Sequence, residues 1–551
     1  MTRFLQREII FRCRNHQHSI YLTSNNSSIN CMLPKNIEIN DKFKESLGLM
    51  ESTSKNIFIT GKAGTGKSTL LNYFRSLTDK KLAVLAPTGV AAINIDGQTI
   101  HSFFRFKPDV NLSSIKKYKG SGGEIYRRIE TIVIDEISMV RADLLDCIDK
   151  FLRINGKDSG KPFGGVQMIF FGDLYQLPPV VRSEEKEIFK SHYKSQYFFD
   201  AKVFDSLEME FIELEKIYRQ KDEKFIRILN SIRNNSIDES QLKLVNERVK
   251  PDFKIYLKDI YMQLTTTNKL SAEINEGELS KIRSPLLSYE GKIKGNFEKH
   301  YLPTEISLKL KVNSQIMLVN NDPNGRWVNG TVGKIIGIEK DAKENDSIIV
   351  EVLNGDKVNV APYTWKVSEL YYNNDTSMLD SRAIGSFTQY PIKLAWAITI
   401  HKSQGKTFDR VVIDIGSGTF TSGQVYVALS RCISLDGIVL KKPIQKRHIF
   451  MDWKIVNFIT KYQYKLSDKR CSLDKKMKII QNAIKNKSKL DIVYLKSKDE
   501  KSKRIIEPIS VGKMEYMGKP YFGVEGFCSE RQGMRVFRVD KILDIKELAP
   551  E

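Results

Sequence analysis

The chain has 551 residues, which at about 150 residues per domain allows three or four domains, and its 41% hydrophobic and 28% charged residues are ordinary for a soluble globular protein. No apolar run approaches the ~18 residues a membrane span needs, which argues against a membrane partner. A formal charge of +22 favours a polyanionic partner, most simply nucleic acid, although a general taste for Lys, Ile and Asn along the chain would give the same excess.

The six cysteines, Cys13, Cys31, Cys147, Cys432, Cys471 and Cys528, lie far apart, and none forms a CxxC pair. A zinc site or a disulfide framework is therefore not expected, and a reducing compartment fits.

Residues 1–35 stand apart from the rest. They carry Arg3, Arg7, Arg12 and Arg14 against one acid, Glu8, and end in the Ser/Asn-rich "YLTSNNSSINCM". A mitochondrial presequence has this flavour, and a disordered extension or an upstream start codon explains it equally well.

From 36 to 203 the pattern is α/β. The strand candidates "NIFIT", "LAVLAP", "TIVIDE" and "QMIFFGD" are short, apolar and bounded by turn signals, as in a buried parallel sheet. A second α/β region runs from 204 to 460. A β-rich stretch of Val/Ile strands and Gly-Asn turns at 312–355, suited to a small barrel, interrupts it. Residues 461–475 are polar and Lys-rich and read as a linker, and 476–551 form a further small domain.

The first strand candidate runs into "GKAGTGKS" at 61–68, which fits GxxxxGK[ST] at every defined position. The loop residues Gly61, Ala63, Gly64, Thr65 and Gly66 turn backbone N–H groups inward, and the helix opened by Lys67, Ser68 and Thr69 adds favourable partial charge. This pattern predicts ATP as ligand, Lys67 on its β- and γ-phosphates and Ser68 on Mg²⁺. In "TIVIDEIS" the strand delivers Asp135 to the metal and leaves Glu136 to orient or deprotonate the attacking water. Gln176, in "GDLYQLPPV", is placed to sense the γ-phosphate through its amide, or is simply a loop residue. Arg219 in "YRQ" and Arg431 in "VALSR" are candidates to stabilise charge on the transferring phosphoryl group, though a lone arginine is more often a surface residue.

Taken in order, GKAGTGKST, APTGVAAINIDGQTIHSFF, IDEISMV, GDLYQLPPV, YRQ, AITIHKSQGKTFDRVVID and YVALSR resemble superfamily 1 DNA helicases of class B, the branch holding the RecD-like and Pif-type enzymes, over about residues 40–455. The resemblance implies two RecA-like domains, 36–203 and 204–460, with ATP between them and single-stranded DNA lying across both. It implies 5′→3′ translocation, a small wedge subdomain at 103–125 with the mobile Gly-rich tip "KGSGGE", and an SH3-like insert at 321–393. Arg219 and Arg431 then reach the γ-phosphate from the second domain, with Gly405 near the same site. Thr88, Gly89, His101, His401, Ser403 and Gln404 face DNA. Phe103 and Phe104 would stack on bases, or else pack in the core. The region before the phosphate loop should contact adenine, but it marks no particular residue.

The stretch 490–548 resembles a WYL domain whose namesake tripeptide has become Pro520-Tyr521-Phe522. The likeness implies binding of nucleic acid or a nucleotide-like ligand, with Tyr521, Arg531, Arg535 and Arg538 as candidate contacts. Alternating Arg and apolar residues are also what any half-exposed strand shows. The expectation is α/β: two RecA-like domains with a small β insert and a C-terminal β-rich module. Its function would be an ATP- and Mg²⁺-dependent 5′→3′ DNA helicase, a monomer acting on single-stranded, partly duplex or forked DNA. The likeness points to the cytoplasm of a bacterial or phage-like source, or to mitochondria or nucleus if 1–35 is a presequence. The rivals are an ATP-gated DNA-binding regulator without processive unwinding, and an inactive scaffold.

Overall fold

The structure, a computed structural model, describes residues 10–12, 19–21 and 39–548, apart from 108–109, 120–122, 182–184, 254–260, 299–301, 341–345, 354, 374–377, 417 and 420. Most of 1–35, and the tip of the expected wedge, lie outside the described residues. The chain divides into two compact units, 1–229 with 240–448, and 230–239 with 449–551.

The first unit holds two parallel sheets. Six strands line up in the order Gln98–Thr99, Leu82–Ala86, Thr131–Ile134, Gln167–Gly172, Asn56–Gly61, Met209–Leu214. Every pairing among them is parallel. Their near-continuous apolar character follows from having both faces covered. Ile57, Ile59, Val133, Ile169 and Phe171 pack with Leu70, Leu71 and Phe74 of the helix Lys67–Leu77 and with Phe43 and Met50 of the helix Asp41–Ser52. The second parallel sheet runs Ala397–Thr399, Met262–Thr265, Val411–Asp414, Ile438–Leu440.

Among the described residues, three antiparallel sheets interrupt the second α/β region. The largest has the order Lys357–Val360, Ser347–Val352, Val332–Glu339, Gln315–Leu318, Ile392–Leu394, with a core that includes Leu308, Ile316, Ile335, Val350 and Tyr390. The others pair Leu287–Glu290 with Ser307–Leu310, and Lys292–Gly295 with the long ribbon Tyr363–Asn373 and Met378–Gln389.

The second unit is a five-stranded antiparallel sheet in the order Gly533–Arg538, Lys519–Cys528, Glu500–Tyr516, Leu490–Lys496, Ile542–Glu547. Ile480 and Ala483 of the helix Leu473–Asn486 pack with Leu490, Ile492, Ile506 and Val524 of that sheet.

Three expected boundaries move. Met209–Leu214, expected in the second α/β domain, pairs in parallel with the phosphate-loop strand and closes the first sheet. The β insert starts earlier than 321, because Gln315–Leu318 pairs with both Val332–Glu339 and Ile392–Leu394. The linker expected at 461–475 is helical: Trp453–Arg470 runs through it and Leu473–Asn486 follows. Its Lys-rich composition hides a buried stripe, Ile455, Val456, Ile459, Gln463 and Ser467, at helical spacing.

Candidate active site

The phosphate loop joins the strand Asn56–Gly61 to the helix Lys67–Leu77. Gly64 and Gly66 sit at φ +81 and +85, the left-handed region that glycine enters without steric cost. At Gly64 any side chain would also strike Arg219, whose Cβ lies 2.5 Å from an ideal Cβ position. Thr65 is buried and donates its hydroxyl to Lys62 O at 2.9 Å. Lys67 Nζ donates to Gly61 O at 2.7 Å and Lys62 O at 3.1 Å. Desolvation lowers its pKa, opposed by the carboxylates of Asp173, Glu136 and Asp135. Ser68 opens the helix on an exposed position, with Thr69 beside it.

Asp135 and Glu136 follow directly on the strand Thr131–Ile134. Burial, with Glu136 adjoining, pushes the Asp135 carboxyl up to about 7. Burial also raises Glu136. Glu136 stands at φ +51, an unfavourable conformation for a residue with a side chain, of the kind held at functional sites. Its Oε2 accepts a 2.9 Å hydrogen bond from Gln404 Nε2, while Gln404 Oε1 is buried without a partner among the described residues.

Gln176 is buried, and its side-chain amide donates to Asp173 Oδ2 at 3.3 Å. Arg219 follows the last strand of the first sheet, so it is not delivered from the second sheet as expected; it touches the loop at Gly64. Its guanidinium donates to Ser430 O at 3.1 Å, and burial lowers its pKa. Arg431 is fully buried, and its pKa is brought down to about 9 by burial, with Arg219 adding repulsion. It donates to Val427 O, Ser403 O, Lys406 O and Ser430 Oγ at 3.0–3.4 Å. Gly405, at φ +80, lies between Ser403 and Lys406, whose carbonyls are two of these acceptors.

The residues expected to face DNA separate into groups. Thr88 is exposed and caps the helix Gly89–Asn94 by accepting from Ala91 N at 3.3 Å, while Gly89 is buried. His101 and His401 are half-buried, and burial lowers the His401 pKa. Three others do not present a side chain to a strand. Ser403 is fully buried with its hydroxyl donated to Ile400 O at 2.7 Å, and Gln404 turns to Glu136. Phe103 is buried against Phe104 and Tyr126, with ring centroids at 4.8 and 5.7 Å, and Tyr126 Oη donates to Phe103 O. The spacing "HSFF" suits either stacking or packing, and a full aromatic cluster with Phe106 and Phe151 decides for packing.

In the second unit Arg538 lies over the Tyr521 ring at 5.1 Å and pairs with Asp540 at 2.7 Å. Arg535 is exposed three residues away on the same strand, which puts it on the opposite face. Arg531 is exposed in the preceding turn.

Four further residues grouped around the phosphate loop and the two arginines escape the sequence reading, although each sits inside a motif. Asp173 receives Tyr175 N, Gln176 Nε2 and Tyr426 Oη. Tyr426 Oη also accepts from Ala63 N. Tyr218, 40% exposed, lies 3.9 Å from an ideal Cβ on Gly66 and accepts from Asn40 Nδ2 at 3.1 Å. Gln220 donates to Ser430 O and Cys432 O. The adjoining signals were Tyr beside Arg in "YRQ" and Tyr before "VALSR".

Comparison with known proteins agrees with this geometry. Family models for the PIF1-like helicase, a helicase and the WYL domain match residues 37–243, 361–473 and 475–547. ATP-dependent DNA helicase Pif1 of Bdellovibrio bacteriovorus is 31% identical over 78% of this chain and 93% of its own length. The crystal structure of Bacteroides sp. Pif1 in complex with ADP-AlF4 is 36% identical and superposes with a TM-score of 0.71, over 78% of this chain and 98% of that one. Bacteroides Pif1 bound to single-stranded DNA is 37% identical with a TM-score of 0.58, over the same shares of both chains. With a relative this similar across nearly its whole length, and phosphate-loop, carboxylate and arginine groups gathered at one place, the chain belongs to the Pif1-like helicases and carries a WYL domain at its C-terminal end.

Proposed function

We propose that this chain, as a Pif1-like ATP-dependent DNA helicase, moves 5′→3′ along single-stranded DNA and opens the duplex ahead of it. The observation that carries the reading is the Gln404–Glu136 hydrogen bond: it ties the loop of the second parallel sheet to the carboxylate beside Asp135 in the first. A motor needs such a tie, because hydrolysis must be felt by the part of the protein that moves.

In this reading Lys67 leaves its two loop carbonyls for the β- and γ-phosphates. Glu136 takes the proton of the attacking water on its carboxylate, held in place by the Gln404 amide. Arg219 and Arg431 neutralise charge on the phosphoryl group in flight. Ser68 and Asp135 offer the hard oxygen donors that suit Mg²⁺, which supplies charge neutralisation on the phosphates when bound. Tyr218, half-open beside Gly66, offers a flat aromatic face for the purine.

On the DNA side, exposed Thr88 and half-buried His101 and His401 serve as contacts, and the +22 charge supplies sequence-independent affinity. The Tyr521–Arg538 pair is the nucleic-acid contact of the WYL domain. No helix among the described residues is long and apolar enough to cross a membrane. The protein acts as a monomer on the forks and tails of a bacterial nucleoid.

The test is strand separation with ATP and Mg²⁺ on two partial duplexes, one with a 5′ single-stranded tail and one with a 3′ tail. The 5′-tailed duplex opens and the 3′-tailed one stays closed, and Lys67→Ala abolishes the opening. Opening from the 3′ tail would overturn the polarity. ATP hydrolysis with both duplexes intact would favour a DNA-binding regulator.

A further inference from the structure

Every amide of a phosphate loop is a potential phosphate ligand, so the partner it holds is informative. The Ala63 N–H donates to the phenol oxygen of Tyr426 at 2.9 Å, across 363 residues of sequence. That hydroxyl in turn donates to Asp173 Oδ2 at 3.4 Å, and the same carboxylate oxygen receives the Gln176 side-chain amide at 3.3 Å. Tyr426, Asp173 and Gln176 are all buried. The chain Ala63–Tyr426–Asp173–Gln176 therefore links a loop amide to the amide placed to read a γ-phosphate.

Tyr426 sits on the helix Gln424–Ser430, which leads directly into Arg431. That helix is seated tightly. Gly423, at φ +77, puts an ideal Cβ 2.4 Å from both Tyr175 O and Gln176 O. At its other end Ser430 O receives Arg219 Nη1 and Gln220 Nε2 at 3.1 Å. A change at the Tyr426 hydroxyl is thus made on the element that carries Arg431 and is braced at both ends against the ATP site.

We propose that Tyr426 is a positioning residue that distinguishes ATP from ADP: its hydroxyl and a γ-phosphate oxygen compete for the Ala63 N–H, and the exchange reports the third phosphate to the helix bearing Arg431. The phenol occupies the loop amide by a neutral hydrogen bond. A γ-phosphate oxygen offers a charge-assisted one, about twice as strong, and takes the amide. The released hydroxyl keeps Asp173 as its acceptor or turns to the phosphate. ADP brings no group to that amide, so the link to the helix persists. The inference rests on the reading of this pocket as an ATP site, and adds to it the group that senses how many phosphates are bound.

Tyr426→Phe in the full chain removes one oxygen and keeps the buried ring. Binding of a fluorescent ADP and of the matching ATPγS is measured by anisotropy without DNA, and ATP hydrolysis is measured with single-stranded DNA. We expect ADP affinity within twofold of wild type and ATPγS affinity three- to tenfold tighter, since the competitor is gone. We also expect kcat at least tenfold lower with KM lowered too, since the helix no longer receives the signal. An ATPγS-to-ADP affinity ratio equal to wild type, or shifted towards ADP, would overturn the proposal whatever happens to kcat. Loss of ADP binding would overturn it as well, since the hydroxyl would then be part of the loop's own structure. A wild-type chain that binds neither nucleotide would instead defeat the reading of the pocket itself.

Discussion

The side-chain amide of Gln404 donates to the Glu136 carboxylate at 2.9 Å and leaves its own oxygen buried. The motif "HKSQG" suggests a DNA contact, yet the amide reaches Glu136, 268 residues away in sequence. Gln404→Ala should lower kcat for ATP hydrolysis by about ten- to a hundredfold, the cost of a mis-set catalytic group. Affinity for single-stranded DNA without nucleotide should stay within twofold in a titration; a large loss there would return the residue to the DNA face. Asp135 carries a second prediction. Its carboxyl is raised to about 7 by burial and by Glu136, so ionising it costs stability in the folded state. Both folded and unfolded forms are protonated well below the ordinary carboxylate pKa near 4, and the penalty grows between there and about 7. Asp135→Asn should therefore stabilise the protein by up to about 4 kcal/mol above pH 7 and by nothing at pH 3, while abolishing hydrolysis. Thermal melts at the two pH values check the sign.

Among elements, the short helix Ile100–Phe104 makes the clearest correction. Aromatic pairs near a DNA-facing motif are as compatible with base stacking as with packing, and sequence spacing does not distinguish them. Phe104 has 1% of its surface exposed and meets Phe106, Tyr126 and Phe151 at centroid distances of 5.3–6.3 Å, in addition to Phe103. Phe104→Ala should cost about 3–5 kcal/mol of stability by urea denaturation, the range for emptying a buried aromatic site. A variant of unchanged stability and weakened DNA binding would restore the stacking role. The helix Trp453–Arg470 makes the complementary point. Polar composition suggested a linker, but one buried stripe suffices to hold a helix, and the Lys side chains occupy its wet face.

At the scale of the whole molecule, residues 230–239 belong to the same unit as 449–551, although they are distant in sequence. Within that unit Arg233 and Asp499 are almost wholly buried and form an ion pair at 3.8 Å. Gln463 Nε2 donates to Asp499 Oδ1 at 2.8 Å, and Asn234 Nδ2 to Asp499 O at 3.3 Å. Removing one member of a buried pair leaves an uncompensated charge, at a cost of about 3–5 kcal/mol. Asp499→Ala should therefore destabilise this unit by that amount, read as an earlier transition of Trp453 fluorescence in urea. The segment 230–239 should then become sensitive to protease before the first parallel sheet does. A transition unchanged from wild type would mean the pair is not structural.

The order of amino acids alone specified the phosphate loop. Gly64, Gly66, Lys67 and Ser68 act through local backbone geometry, and a strand–turn–helix of a dozen residues contains all they need. It determined Asp135 and Glu136 for the same reason, and the two parallel sheets through their apolar strand runs. Features that need distant chain segments to meet emerged with the folded chain. These are the placement of Met209–Leu214 in the first sheet, the turn of Gln404 towards Glu136, the burial of Phe103 and Ser403, and the Tyr426–Ala63 bond. A motif records which residue types a site uses, whereas a hydrogen-bond partner hundreds of residues away is set by the packing of whole sheets.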